Sequence, residues 1–119
     1  MSEPLFHIAP AVAWGESADP YAPADFETEG FVHCSTRSQV IGVANARFRG
    51  RMDLVLLMID ADRIDAPIRY ENPSGGSELF PHVYSALPRR SVVAVEPLAL
   101  RPDGSFDPSS VQRCVSRAS

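Results

Sequence analysis

Leu54-Val55-Leu56-Leu57-Met58-Ile59 is apolar at every position and closes on Asp60. A strand with one wet face alternates apolar and polar residues, so an unbroken apolar run of this length reads as a strand covered on both faces. It is the expected central strand. Upstream of it, Val40, Ala44 and Phe48, with Ile41 beside them, fall on one helical face. Thr36 and Gln39 have the spacing of a capping box at the start of that helix, and Gly50 is a stop just past its end.

Further out, Phe31-Val32-His33-Cys34 and Leu5-Phe6-His7-Ile8 read as short strands. Pro10 sits where a first helical turn tolerates it, ahead of Ala11-Val12-Ala13-Trp14, and Asp19-Pro20 and Ala22-Pro23 end that short helix. Downstream, Ile68-Arg69-Tyr70-Glu71 is a strand leading into Asn72-Pro73-Ser74-Gly75-Gly76, a loop with little to pack and free to act as a lid. Phe80 to Tyr84 and Val92 to Leu98 complete the strands, with Pro81 and Pro97 expected near edges or ends. Residues 1–106 form one globular domain in this reading, and 107–119 form a loose polar C-terminal tail.

Six strands and two short helices in this order predict an α+β fold with a mainly antiparallel sheet, since most strands join without a crossover helix. A doubly wound sheet does not fit, and no G-x-G-x-x-G motif supports a Rossmann site.

Composition narrows the function. The chain of 119 residues is 45% apolar and 22% charged, the balance of a single globular core. Its net charge of -4 gives no electrostatic pull toward nucleic acid or an anionic membrane. All 11 basic residues are arginine, which excludes Schiff-base and Walker-type lysine chemistry. No apolar run approaches a membrane span, and Met1-Ser2-Glu3-Pro4 opens without a leader pattern, so a cytoplasmic location is expected. Cys34 and Cys114 read as free thiols.

The chemistry-bearing residues gather around three histidines. Alternation puts Phe31 and His33 on one face, and Phe80, His82 and Tyr84 on one face, so each histidine shares its side with an aromatic ring. An imidazole can carry a proton near neutral pH, and a tyrosine hydroxyl can orient it; a hydrogen-bonded core histidine is the bland alternative. Glu71 stands between a strand and a Gly-rich loop, where a carboxylate can reach a sugar hydroxyl or take a proton, or simply pair with Arg69. Glu78 is the rival carboxylate. Ser35 lies at a strand-to-helix junction beside main-chain N–H groups that favour anions, or serves as a cap. Cys34 points away from His33 and reads as core. His7, His33, His82 and Glu71 lack the close spacing of sequence-readable zinc sites, so no metal site is assigned.

Leu5-Phe6-His7-Ile8, Glu29-Gly30-Phe31-Val32-His33-Cys34-Ser35, Gln39-Val40, Val43-Ala44-Asn45, Leu54 to Asp60, Tyr70-Glu71 and Phe80-Pro81-His82-Val83-Tyr84 together resemble the bacterial domain-of-unknown-function 952 family, over about Leu5 to Phe106. That family is similar in fold to the ADP-ribosyltransferases, a split antiparallel sheet gripping a nicotinamide dinucleotide between its halves. The resemblance implies that Phe31 to Ser35 matches the transferase strand whose His-Gly-Ser or His-Gly-Thr holds the nicotinamide-side ribose. His33 and Ser35 then hold the ribose, Glu71 acts at the anomeric carbon, and His7, His82 and Tyr84 line the same cleft. Cys34 departs from the transferase glycine.

The expected function is therefore an ADP-ribosyltransferase-like enzyme acting on NAD or a related nucleotide, with Glu71 and His33 catalytic and His7, Ser35, His82 and Tyr84 binding the ligand. The alternatives are a non-catalytic module binding a nucleotide or small metabolite, and a metal-assisted hydrolase using the histidines with Glu71.

Overall fold

The computed structural model describes residues 3–118; Met1 and Ser2, part of the opening read as leaderless, and Ser119 lie outside the described residues. Six strands form two antiparallel three-stranded sheets. The first has the order β1-β3-β6, with β1 Leu5–Pro10, β3 Leu54–Ile59 and β6 Val92–Pro97; the second has the order β2-β5-β4, with β2 Val32–His33, β5 Phe80–Val83 and β4 Ile68–Glu71. The α+β class and the antiparallel pairing expected from the sequence are both present. No helix among the described residues is long and apolar enough to cross a membrane.

The unbroken apolar run is the middle strand of its sheet, and its two faces serve two cores. Val55, Leu57 and Ile59 join Leu5 and Ala9 of β1, facing Val32, Cys34 and Val83 from the other sheet. Leu54 and Leu56 join Phe6, Ile8 and Ala94 on the opposite face, under helices α3 (Val40–Arg47) and α4 (Ser109–Arg117). A residue step of one moves a side chain between these cores, which is why both parities of β3 are apolar. The helix face read from the sequence packs here: Val40 and Ala44 are fully buried, with Ile41 and Phe48 against them.

Three expectations need correction. Two further helices are present beyond α3 and α1 (Ala11–Glu16): α2, Phe26–Glu29, and α4. The stretch from Asp107 is not loose. Val111 and Cys114 of α4 are buried against the first sheet, and Arg113 and Arg117 of α4 both pair with Glu96, whose side chain is only 8% exposed. A buried carboxylate needs such partners, so α4 is part of the fold. Pro81 lies not at an edge but in β5, the middle strand of the second sheet. Its carbonyl accepts from Cys34 N–H at 3.0 Å, so the face lacking an N–H looks toward β2 just where that strand ends.

The capping box is half formed. Gln39 Oε1 accepts from Thr36 N–H at 3.0 Å, while the Gln39 amide donates to the Leu79 carbonyl at 2.8 Å and ties the end of the Gly-rich loop to α3. Asn72 organises the loop itself, accepting from Ser74 N–H and donating to the Glu78 carbonyl.

Candidate functional site

The β2–β5 register sets His33 directly opposite His82, and the β4–β5 register sets Arg69 opposite His82 on its other side. Side chains at paired positions of an antiparallel ladder share a face, so this row places two imidazoles edge to face, with ring centroids 5.2 Å apart. Phe31 stacks on His82 at 4.0 Å between centroids and 17° between planes, and it meets the His33 ring edge-on at 4.7 Å. The pairing of Phe31 with His33 read from strand alternation is present, while His82, read beside Phe80 and Tyr84, has its ring stacked on Phe31.

Glu71 enters by the diagonal of the β4–β5 pair. Its Oε1 accepts from His82 Nδ1–H at 3.0 Å and from the Tyr84 hydroxyl at 2.5 Å. Hydrogen bonds from Tyr84 first, then from His82, hold the Glu71 carboxyl below its usual range, and the same carboxylate raises the Tyr84 hydroxyl. An ionised carboxylate on Nδ1 selects the tautomer in which Nε2 of His82 is bare. The guanidinium of Arg69 lies over the Tyr84 ring, 5.3 Å from its centroid.

A cavity of about 710 Å³ opens beside this cluster and is lined from both sheets, by His7 of β1, by His33, Cys34 and Ser35, and by Phe80 and His82 of β5. Arg47 at the end of α3, Arg51 in the segment between α3 and β3, and Asn72, Pro73 and Ser74 of the Gly-rich loop complete other parts of the wall. That volume lies in the range of sites for small-molecule ligands. Four of the six residues singled out from the sequence, His7, His33, Ser35 and His82, share this wall; Glu71 and Tyr84 are not in it and stand against His82 instead.

Each lining residue has its own physical setting. His7 is 7% exposed; its Nδ1–H donates to the His33 carbonyl at 2.6 Å, and its Nε2 is buried with no partner. Burial lowers its pKa, and the bond to the His33 carbonyl and the charge of Asp25 offset this only in part. His33 is half-exposed, with Nε2 3.1 Å from Glu29 Oε1. Ser35 is not in a first helical turn: its N–H donates to the Phe6 carbonyl at 2.8 Å and its carbonyl accepts from Phe6 N–H at 2.8 Å, a bridge to β1 that leaves its main-chain amide no anion to hold. Cys34 is core, as its alternation predicts, and burial pushes its thiol up to about 12. Such a thiol is no nucleophile.

Glu29 and Asp25 were not singled out in the sequence. Gly30, in the left-handed conformation at φ 83°, ends α2 by donating to the Phe26 carbonyl at 2.7 Å and turns the chain into β2, so that Glu29 and His33 meet. The spacing Asp25-x₃-Glu29-x₃-His33 was the available signal.

The family model described as "Protein of unknown function (DUF952)" matches residues 8–95. No curated protein matches the chain. Among solved structures, the crystal structure of protein CC0527 from Caulobacter crescentus and that of its double mutant are both 28% identical, with a TM-score of 0.77 over 87% of this chain and 93% of theirs. The solution structure of CC0527 gives a TM-score of 0.74 at 28% identity, over 87% of this chain and 91% of that one.

Proposed function

The chain belongs to the DUF952 family, and from that premise we propose that it is an ADP-ribosyltransferase-like enzyme that takes NAD or a related nucleotide into the cavity between its two sheets. The observation that carries this is the hydrogen bond from His82 Nδ1 to Glu71, which equips a cavity-lining imidazole as a proton acceptor. Arg47 offers positive charge to phosphates, while Arg51 is held by both carboxylate oxygens of Asp53; Phe80 offers an apolar surface, and His33 and Ser35 face the ligand in the ribose-holding role that the transferase resemblance assigns them. His82 Nε2 takes the proton of an acceptor hydroxyl or water as its oxygen bonds the anomeric carbon. The bond from that carbon to nicotinamide breaks at the same centre, and nicotinamide leaves as a neutral molecule.

This assignment changes the part played by Glu71. Its carboxylate is committed to His82 and Tyr84 and is absent from the cavity wall, so it acts as a positioning residue through His82 rather than at the sugar. The same observation favours a second reading, a nucleotide-binding module without turnover, since a dinucleotide cleaved by direct carboxylate participation would need Glu71 in the cavity.

Nicotinamide release from NAD by the full chain separates the two. Under the enzyme reading His82→Ala abolishes release while NAD affinity stays within a few fold. Glu71→Gln lowers kcat and alters its pH profile with KM little changed, and Glu71→Asp restores part of it. NAD binding without release by the native chain supports the module instead.

A further inference from the structure

Asp25, Glu29 and His33 bring two carboxylates and an imidazole together, with one ligand atom from each lying within 4.8 Å of the others. Asp25 precedes α2, Glu29 closes it and His33 follows in β2, so a segment of nine residues, held by the Gly30 turn, supplies the whole group. All three line the cavity, with Asp25 and Glu29 exposed and His33 part-buried. Among the described residues this is the one such group; His7, His82 and Glu71 do not form another with it, so the metal-assisted arrangement first considered from the sequence is not the one the fold assembles.

A second polar group, this one buried, lies at the same cavity. His7 lines it, spends its Nδ1–H on the carbonyl of His33, and is left with a bare acceptor at Nε2, buried and partnerless.

We propose that Asp25, Glu29 and His33 bind a divalent transition-metal ion in this cavity, with its remaining positions open to water or to the oxygen of a ligand. Two hard carboxylate oxygens and one imidazole nitrogen suit manganese, iron, cobalt or zinc better than calcium or magnesium, which prefer all-oxygen shells. Binding needs His33 Nε2, which lies beside Glu29 Oε1, to present its lone pair to the ion.

The test is a titration of the chelator-treated full chain with cobalt(II), read by its visible d–d absorption, alongside Asp25→Asn and Glu29→Gln. Both residues are exposed and lie outside the cores, so these variants keep the fold, which circular dichroism checks. The expected result is saturable binding by the native chain, weakened about tenfold or more by each substitution. Manganese(II) should also broaden the His33 imidazole resonances of the native chain. Native protein that takes up no cobalt to millimolar concentration, or variants that bind it as tightly as native, would overturn the site. Because metal is read directly, this result is independent of whether NAD is a substrate.

Discussion

Nδ1 of His82 lies 3.0 Å from Oε1 of Glu71, while the ring of His82 is nearly parallel to that of Phe31 beneath it. The imidazole is fixed in both its rotation and its tautomer, and it is 2% exposed, so what it offers to the cavity is decided before any ligand arrives. The expected outcome in nitrogen-detected NMR of the imidazole rings is that the neutral form of His82 carries its proton on Nδ1 and leaves Nε2 bare. Glu71→Ala should convert it to a tautomer mixture, and a native His82 already in that mixture would remove the reason to assign it proton transfer.

Acid stability follows from the carboxylates. Glu96 is buried, which alone would raise its pKa, but hydrogen bonds from Arg117 and Arg113 win and hold it below the ordinary glutamate value of 4.5; Glu71 is lowered by Tyr84 and His82. A carboxylate whose folded pKa lies below its unfolded one contributes stability that is present above the unfolded value and lost as pH falls through the folded one. Melting temperature should therefore decline as pH drops below about 4.5, and less steeply in Glu96→Gln. The substitution itself costs about 1–3 kcal/mol at neutral pH, because it takes the charge from a doubly paired buried group.

Burial pushes Cys34 up to about 12 and Cys114 up to about 11. In the native chain neither thiol should react with iodoacetamide at mildly alkaline pH, and both should react after denaturation. Rapid native labelling of Cys34 would show it to be an accessible thiolate and reopen its candidacy as nucleophile.

Helix α4 closes the second core. Val111→Asp places a charge between α4 and the first sheet, where Val111 is 6% exposed. We expect a loss of ~3 kcal/mol or more in urea unfolding. An effect below ~1 kcal/mol would return residues from 107 onward to the loose tail expected from composition.

How much of this was legible follows from which interactions are local. The six strands were, because apolar runs and period-two alternation are written residue by residue, and the double-sided core of β3 is visible in Leu54 to Ile59 itself. The facing of His33 and His82 was half legible: alternation gives each residue's side, but only the antiparallel register makes them neighbours. Glu71 was singled out for the wrong contact, since its partner His82 is 11 residues away across a loop. Helix α4 was hidden by its serines and arginines, although Val111, Cys114 and Val115 have the helical spacing i, i+3, i+4. The four-residue α2 carries no periodicity to read, so Asp25 and Glu29 passed unnoticed beside His33.

The most direct test of the central claim is a thermal-shift titration of the full chain with NAD, ADP-ribose, nicotinamide and nucleotide phosphates. A ligand that binds only the folded state adds about 2.7 kcal/mol at a hundredfold excess over Kd, which amounts to several degrees for a domain of this size. The account predicts such a rise with NAD or ADP-ribose, reduced in Phe31→Ala and lost in His33→Ala. Unchanged melting with every one of these compounds, in a chain whose native fold is verified, would contradict the assignment of the cavity to a nucleotide.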